Sequence, residues 1–211
     1  MFVGHLAVAL AAKRAAPRVN LGWLMAGVTA LDLIWPVLVI AGVERVRIAP
    51  GATAFTPLVF EHYPWSHSLV MAVVWGIVLV AIARWRGVRA SALLLIALVA
   101  SHWVLDYVTH APDMPLWPGE SPRYGLALWN SIPGTLIVEG AMWLIAIVLY
   151  LQIHPLRTTG RKITFWALVA VCTVMWATSP WSPPPPSERA LGWFALIGWI
   201  VVPWAAAADR R

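Results

Sequence analysis

Seven apolar runs divide this chain, and most approach the roughly 20 residues that a helix needs to cross a bilayer. They cover residues 2–16, 21–43, 68–85, 90–109, 132–151, 163–178 and 190–208. Inside lipid, every backbone N–H and C=O must be paired within the span, which leaves helices or closed barrels. Barrel strands are about 9–11 residues long and alternate in polarity, and these runs are longer and continuously apolar. The expected fold is therefore all-α: a polytopic transmembrane helix bundle of six to seven membrane segments, forming one integral membrane domain over residues 1–211. The runs at 2–16 and 163–178 are marginal in length, so either could be tilted, partly buried or re-entrant. Composition supports this reading. The chain is 61% hydrophobic and 11% charged, where a soluble domain carries about 25% charged residues. That excludes a soluble globular enzyme and a nucleic-acid-binding module. The single cysteine, Cys172, lies in an apolar run and has no partner for an internal disulfide.

The basic residues orient the chain. Eleven of the 15 Lys and Arg fall in alternate loops: Lys13, Arg14 and Arg18; Arg84, Arg86 and Arg89; Arg157, Arg161 and Lys162; Arg210 and Arg211. The other loops hold Arg45, Arg47, Arg123 and Arg189. Positive charge stays cytoplasmic, so the N-terminus is expected outside and the C-terminus inside. The formal net charge of +6 is then a topology signal. No basic stretch precedes the first run, so no cleaved leader is expected. The outer loops at 44–67 and 110–131 are rich in Pro and Gly, and Pro183–Pro186 forms a stiff turn or short polyproline segment.

Ionisable side chains within a membrane are costly and mark function. His102, Asp106 and His110 recur at i, i+4 and i+8, drifting by only about 80° around a helix, so they share one face. His-x3-Asp offers one metal two ligands from adjacent turns, a nitrogen and an oxygen that suit zinc, manganese or iron. His62 and His67 flank Tyr63-Pro64-Trp65-Ser66 on the approach to the third run. The first run contributes His5, the second Asp32 and the fifth Glu139. The charge-derived topology, which uses no His, puts five of the six His at similar outer depth. A single polar site in the outer half of the bundle follows. Each residue also has a plainer reading. His5 alone could be a helix–helix hydrogen bond, Asp32 half of an ion pair, and Glu139 a protonated structural carboxylate. His110 and Asp113, at a loop start, read as solvated or capping residues. His154 lies on the inner side, away from the site.

Gly4-His5, Leu31-Asp32 ending in Pro36, His62-x4-His67-Ser68 and Ser101-His102-x3-Asp106 occur in an order that resembles a known family. It is the YdjM-like bacterial inner-membrane metal-dependent hydrolases, a family considered distantly similar to zinc-dependent phospholipase C. Tyr63–Ser68 and Leu128–Ser131 are similar to segments of related membrane proteins. The resemblance spans roughly residues 1–120, within a motif-bearing part at 1–131 followed by accessory helices at 132–211. It implies metal ligands at His5, Asp32, His62, His67, His102 and Asp106. Two departures stand out. Ile34 replaces the second Asp of the family's Asp-x-Asp, and Tyr63-Pro64 replaces Arg-Gly between the paired His. Losing one carboxylate could reduce a two-metal site to one ion, or Glu61, Glu139 or Asp113 could substitute.

The expected activity is hydrolysis of a phosphoester or lipid-derived substrate at the outer leaflet of the bacterial inner membrane. One or two zinc ions, or manganese, would activate water. Glu61 or Glu139 would act as general base. Arg123, Asn130 and Ser131 would bind a phosphate or lipid headgroup. Membrane lipid is the expected partner and nucleic acid is not. The chain is taken as a monomer by default. Two alternatives remain: a metal-ion or proton-coupled transporter, and a non-catalytic membrane protein with a structural metal.

Overall fold

The computed structural model describes residues 1–209, so Arg210 and Arg211 of the topology argument lie outside the described residues. The chain is a helix bundle. Among the described residues the helices are α1 (Val3–Ala12), α2 (Leu21–Ile40), α3 (Pro64–His67), α4 (Leu69–Trp85), α5 (Ala92–Thr109), α6 (Ile132–Ile153), α7 (Thr159–Thr178), α8 (Glu188–Ala195) and α9 (Gly198–Ala208). Most begin at a short polar residue that satisfies an otherwise orphaned amide. Asn20, Ser68, Ser91, Ser131, Thr158 and Ser187 each accept from a backbone N–H in the first turn of α2, α4, α5, α6, α7 and α8.

Five elements are long and apolar enough to cross a membrane: α2, α5, α6, α7 with the turn that follows it, and the α8–α9 pair. The seventh run, read as one helix, is broken at Leu196–Ile197. There Trp199 N–H donates to Leu196 O and Ile200 N–H to Ile197 O, three-residue bonds that tighten the chain into a step. The sixth run, read as marginal, extends into a 23-residue candidate span. The shorter apolar helices are α1 and α4. α1 is enclosed. It packs against α2, α5, α6 and α7, and seven of its ten residues are buried. Large apolar side chains such as Ile77, Ile137, Leu144 and Val174 face outward, as lipid contact requires.

The loop at 44–67 holds more order than its Pro and Gly content suggests. β1 (Arg45–Ile48) pairs antiparallel with β2 (Leu58–His62), with an irregularity between Arg45 and Val46. The returning segment contains Pro50 and Gly51, the latter at φ +86°, a conformation that favours glycine. A second ribbon pairs β3 (Met114–Pro115) with β4 (Arg123–Tyr124). Both ribbons lie at the α3 end of the bundle, where α3 packs on α2, α4 and β3.

Candidate metal centre

α1 supplies His5, α2 Asp32, the α3 turn His67, and α5 both His102 and Asp106; together these five form two overlapping groups able to hold a metal. All except Asp32 are buried. Asp106 is the hub. Its Oδ1 lies 3.0 Å from His5 Nε2 and accepts from the Met1 α-ammonium at 2.5 Å. Its Oδ2 lies 3.1 Å from His102 Nε2, 3.8 Å from His67 Nε2 and 3.9 Å from His110 Nε2. Asp32 Oδ1 approaches two of the same nitrogens, at 3.4 Å from His67 and 3.6 Å from His102. The His5 and His102 rings stack with centroids 3.7 Å apart and planes within 5°.

The far ring nitrogens reveal which face of each imidazole is free. His102 Nδ1 donates to Val28 O at 2.6 Å. Ser66 Oγ donates its one proton to Glu44 Oε2 at 2.6 Å, so it accepts from His67 Nδ1 at 2.7 Å. Asp113 Oδ1 accepts from His110 Nδ1 at 3.1 Å and from the Tyr63 hydroxyl at 2.5 Å. Burial first, then the Asp113 carboxylate, raises the Tyr63 pKa well above its ordinary value, so the hydroxyl stays a neutral donor. In all three histidines Nδ1–H is held by an acceptor, and Nε2 offers its lone pair toward Asp106. Such backing by carboxylates, carbonyls and hydroxyls is how metal-ligating imidazoles are oriented.

Lone pairs facing carboxylate oxygens repel unless a cation lies between them. His102 Nε2 is buried without a hydrogen-bond partner, although two carboxylate oxygens lie nearby. A tetrahedral ion with N and O ligands at about 2.0–2.2 Å has ligand–ligand edges of about 3.3–3.6 Å. The four nitrogen–oxygen separations among Asp32 Oδ1, His67 Nε2, His102 Nε2 and Asp106 Oδ2 run from 3.1 to 3.8 Å. Two imidazole nitrogens and two carboxylate oxygens suit zinc or manganese. The donors fit a divalent ion in ligand type, tautomer and nitrogen–oxygen distance, as two overlapping groups of three: His5, His102 and Asp106, and Asp32, His67 and His102.

A family model described as YdjM inner membrane protein matches residues 1–183. The chain belongs to the YdjM inner membrane protein family. The match takes in α6 and α7, so membership in the YdjM family extends well past residue 120 and includes Glu139. The family description names a membrane location and no reaction. No curated protein and no solved structure shows significant similarity to this YdjM-family chain.

The remaining candidates sit as follows. His62 pairs with Arg45 across the β1–β2 ribbon and belongs to neither metal-capable group. Glu61 is exposed and ion-paired to Arg47 Nε at 2.7 Å. Arg123 donates to Glu61 O, Ser131 Oγ caps α6 by accepting from Gly134 N–H, and Asn130 N–H donates to Ala127 O. Glu139 is fully buried. Its Oε2 accepts from Phe2 and Gly4 N–H at 2.8 and 3.2 Å, while Oε1 has no partner. It thereby fixes the start of α1, and with it His5. His110 is a correction: expected to be solvated, it is 3% exposed, because Phe60 and Trp129 cover it at centroid distances of 4.8 and 4.3 Å.

Glu44 is the residue that sequence reasoning missed. It is 1% exposed, and its Oε1 accepts from Trp65 and Ser66 N–H while Oε2 holds Ser66 Oγ. The one available signal was Pro64 opening a short helical turn whose free amides need an acceptor.

Proposed function

We propose that this chain is a multi-pass inner-membrane, metal-dependent hydrolase acting on a phosphoester or lipid-derived substrate in the outer half of the bilayer. The observation that carries this reading is that His67 Nε2 and His102 Nε2 each lie 3.1–3.8 Å from both Asp32 Oδ1 and Asp106 Oδ2, with both Nδ1 atoms already engaged. A zinc or manganese ion there would lower the pKa of a bound water and polarise the scissile group. His67, His102 and Asp106 would hold the ion. Asp32 would complete the set from a half-exposed position, its side chain 47% accessible, which leaves one side open, as catalytic sites need and structural sites do not. His5 shares Asp106 Oδ1 with the Met1 ammonium and would position that carboxylate. Glu139, whose Oε2 holds the Gly4 N–H beside His5 and whose Oε1 lacks a partner, is the proton acceptor we favour over the exposed Glu61.

The test is elemental analysis of protein purified in mild detergent. About one divalent ion per chain is expected, lost in His102→Ala and in Asp106→Asn, with phosphodiester cleavage lost in parallel. Wild-type protein that is folded and metal-free after incubation with zinc or manganese would overturn the reading.

A further inference from the structure

A cavity of about 290 Å³ opens between α1, α2, α7 and the α8–α9 step. Its walls are almost wholly apolar, with Leu168, Cys172, Met175, Phe194 and Ile200 among them. The polar side chains on its lining are Thr29, His5, Asp32 and the indoles of Trp35 and Trp204, the latter donating to Thr164 O at 3.0 Å. The Thr29 hydroxyl is used up, donating to Met25 O at 2.7 Å. His5 and Asp32 are members of the candidate metal centre, so the polar end of the cavity is that centre. The half-exposed Asp32 lines this space. Trp35, 7% exposed, carries a buried indole N–H with no hydrogen-bond partner. On the other side Met175, Phe194, Ile197 and Ile200 are 40–58% exposed, so the cavity is open laterally on an apolar, lipid-facing flank.

We propose that this cavity binds the hydrocarbon chain of a membrane phospholipid that enters sideways from the bilayer, with its phosphate headgroup at Asp32 and the metal. The inference rests on the hydrolase reading for the role of the headgroup; the chain-binding cavity stands on its lining. The graded polarity selects an amphiphile: a wholly apolar guest leaves the Asp32 and His5 end unserved, and a small water-soluble phosphoester leaves the apolar wall bare. Bilayer phospholipid is the amphiphile present at that flank.

The experiment uses the full chain in lipid nanodiscs, loaded with zinc and doped with phosphatidylglycerol carrying a photoactivatable diazirine in its acyl chain. Adducts are mapped by peptide mass spectrometry, and metal content is measured on the same samples. Adducts are expected to concentrate on residues 168–175 and 194–200. Gly198 lines the cavity, and a Cβ there meets nothing within 4 Å, so Gly198→Trp adds a large side chain at the lining without a backbone clash. It should cut those adducts about tenfold while leaving bound metal unchanged. Ala195→Leu provides a second, milder filling variant that should lower them in the same direction. Labelling spread evenly over outward residues such as Ile137 and Leu144, or labelling that ignores both variants, overturns the proposal. Concentrated labelling on a chain that binds no metal would leave the lipid cavity standing and remove the hydrolase reading.

Discussion

At the scale of single residues, the distinguishing feature is the chain of contacts behind each imidazole. His67 does not reach the cluster on its rotamer alone. Glu44 holds two amides of the α3 turn and the Ser66 hydroxyl, and Ser66 in turn fixes the His67 tautomer. Ser66→Ala removes the acceptor for His67 Nδ1 but leaves Glu44 bound to both amides. Outer contacts of this kind are worth about 10–100-fold in metal affinity. Titration calorimetry of Ser66→Ala should therefore show zinc affinity reduced by about 10–100-fold, with the thermal midpoint little changed. Unaltered affinity would mean that His67 is not a ligand.

At the scale of elements, close approach between helices sets the site's geometry. α5 carries two of the five cluster residues and packs on α4 along one flank and on α1 and α2 along another. The α4–α5 contact depends on Gly76, where a Cβ would come within 2.9 Å of the Ile96 Cα. Backbone cannot yield as a flexible side chain can, and small residues at such contacts drive helix association in lipid. Gly76→Leu should lower stability by about 1–3 kcal/mol, the range for overpacking a tight contact, read as a lower unfolding midpoint in detergent. It should also weaken zinc binding, since α5 is displaced. A midpoint equal to wild type would show that α4 and α5 pack more loosely than described.

At the scale of the whole molecule, the two ends of the bundle carry separate polar clusters. Opposite the candidate metal centre, Asp209 at the end of α9 accepts from Lys13 Nζ at 2.7 Å, Leu21 N–H at 2.8 Å and the Tyr150 hydroxyl at 3.0 Å. One carboxylate so joins the ends of α1, α2, α6 and α9. His154, just past α6, lies 3.9 Å from Asp209 through Nδ1. Burial, and then the charge of Lys13, lowers its pKa below the ordinary 6.5, while Asp209 opposes the shift. A group with a lowered folded-state pKa binds fewer protons when folded. Its contribution to stability is present above about pH 6.5 and is lost as the pH falls below that value. The difference in thermal midpoint between wild type and His154→Gln should therefore shrink in wild type's disfavour between pH 7.5 and pH 5. A difference constant across that range would place His154 in free solvent.

The apolar runs dictated helices, and their placement held: six runs became single helices within a few residues of their expected ends. Backbone in lipid has few alternatives, so local hydropathy carries that information without help from distant residues. The His-x3-Asp face of α5 was legible for a similar reason, because helical period is local. Other features were settled by contacts between residues far apart in the chain. His62 and His67 are five residues apart and look equivalent, yet a strand ends at one and a helical turn ends at the other. Glu44 and Ser66 meet across 22 positions, and Phe60 and Trp129 close over His110 from two different loops. The break at Leu196–Ile197 and the cavity beside it depend on how α8 and α9 rest against α2 and α7. Hydropathy reports whether a residue tolerates lipid, and it is silent on which polar atoms face one another once the helices have packed.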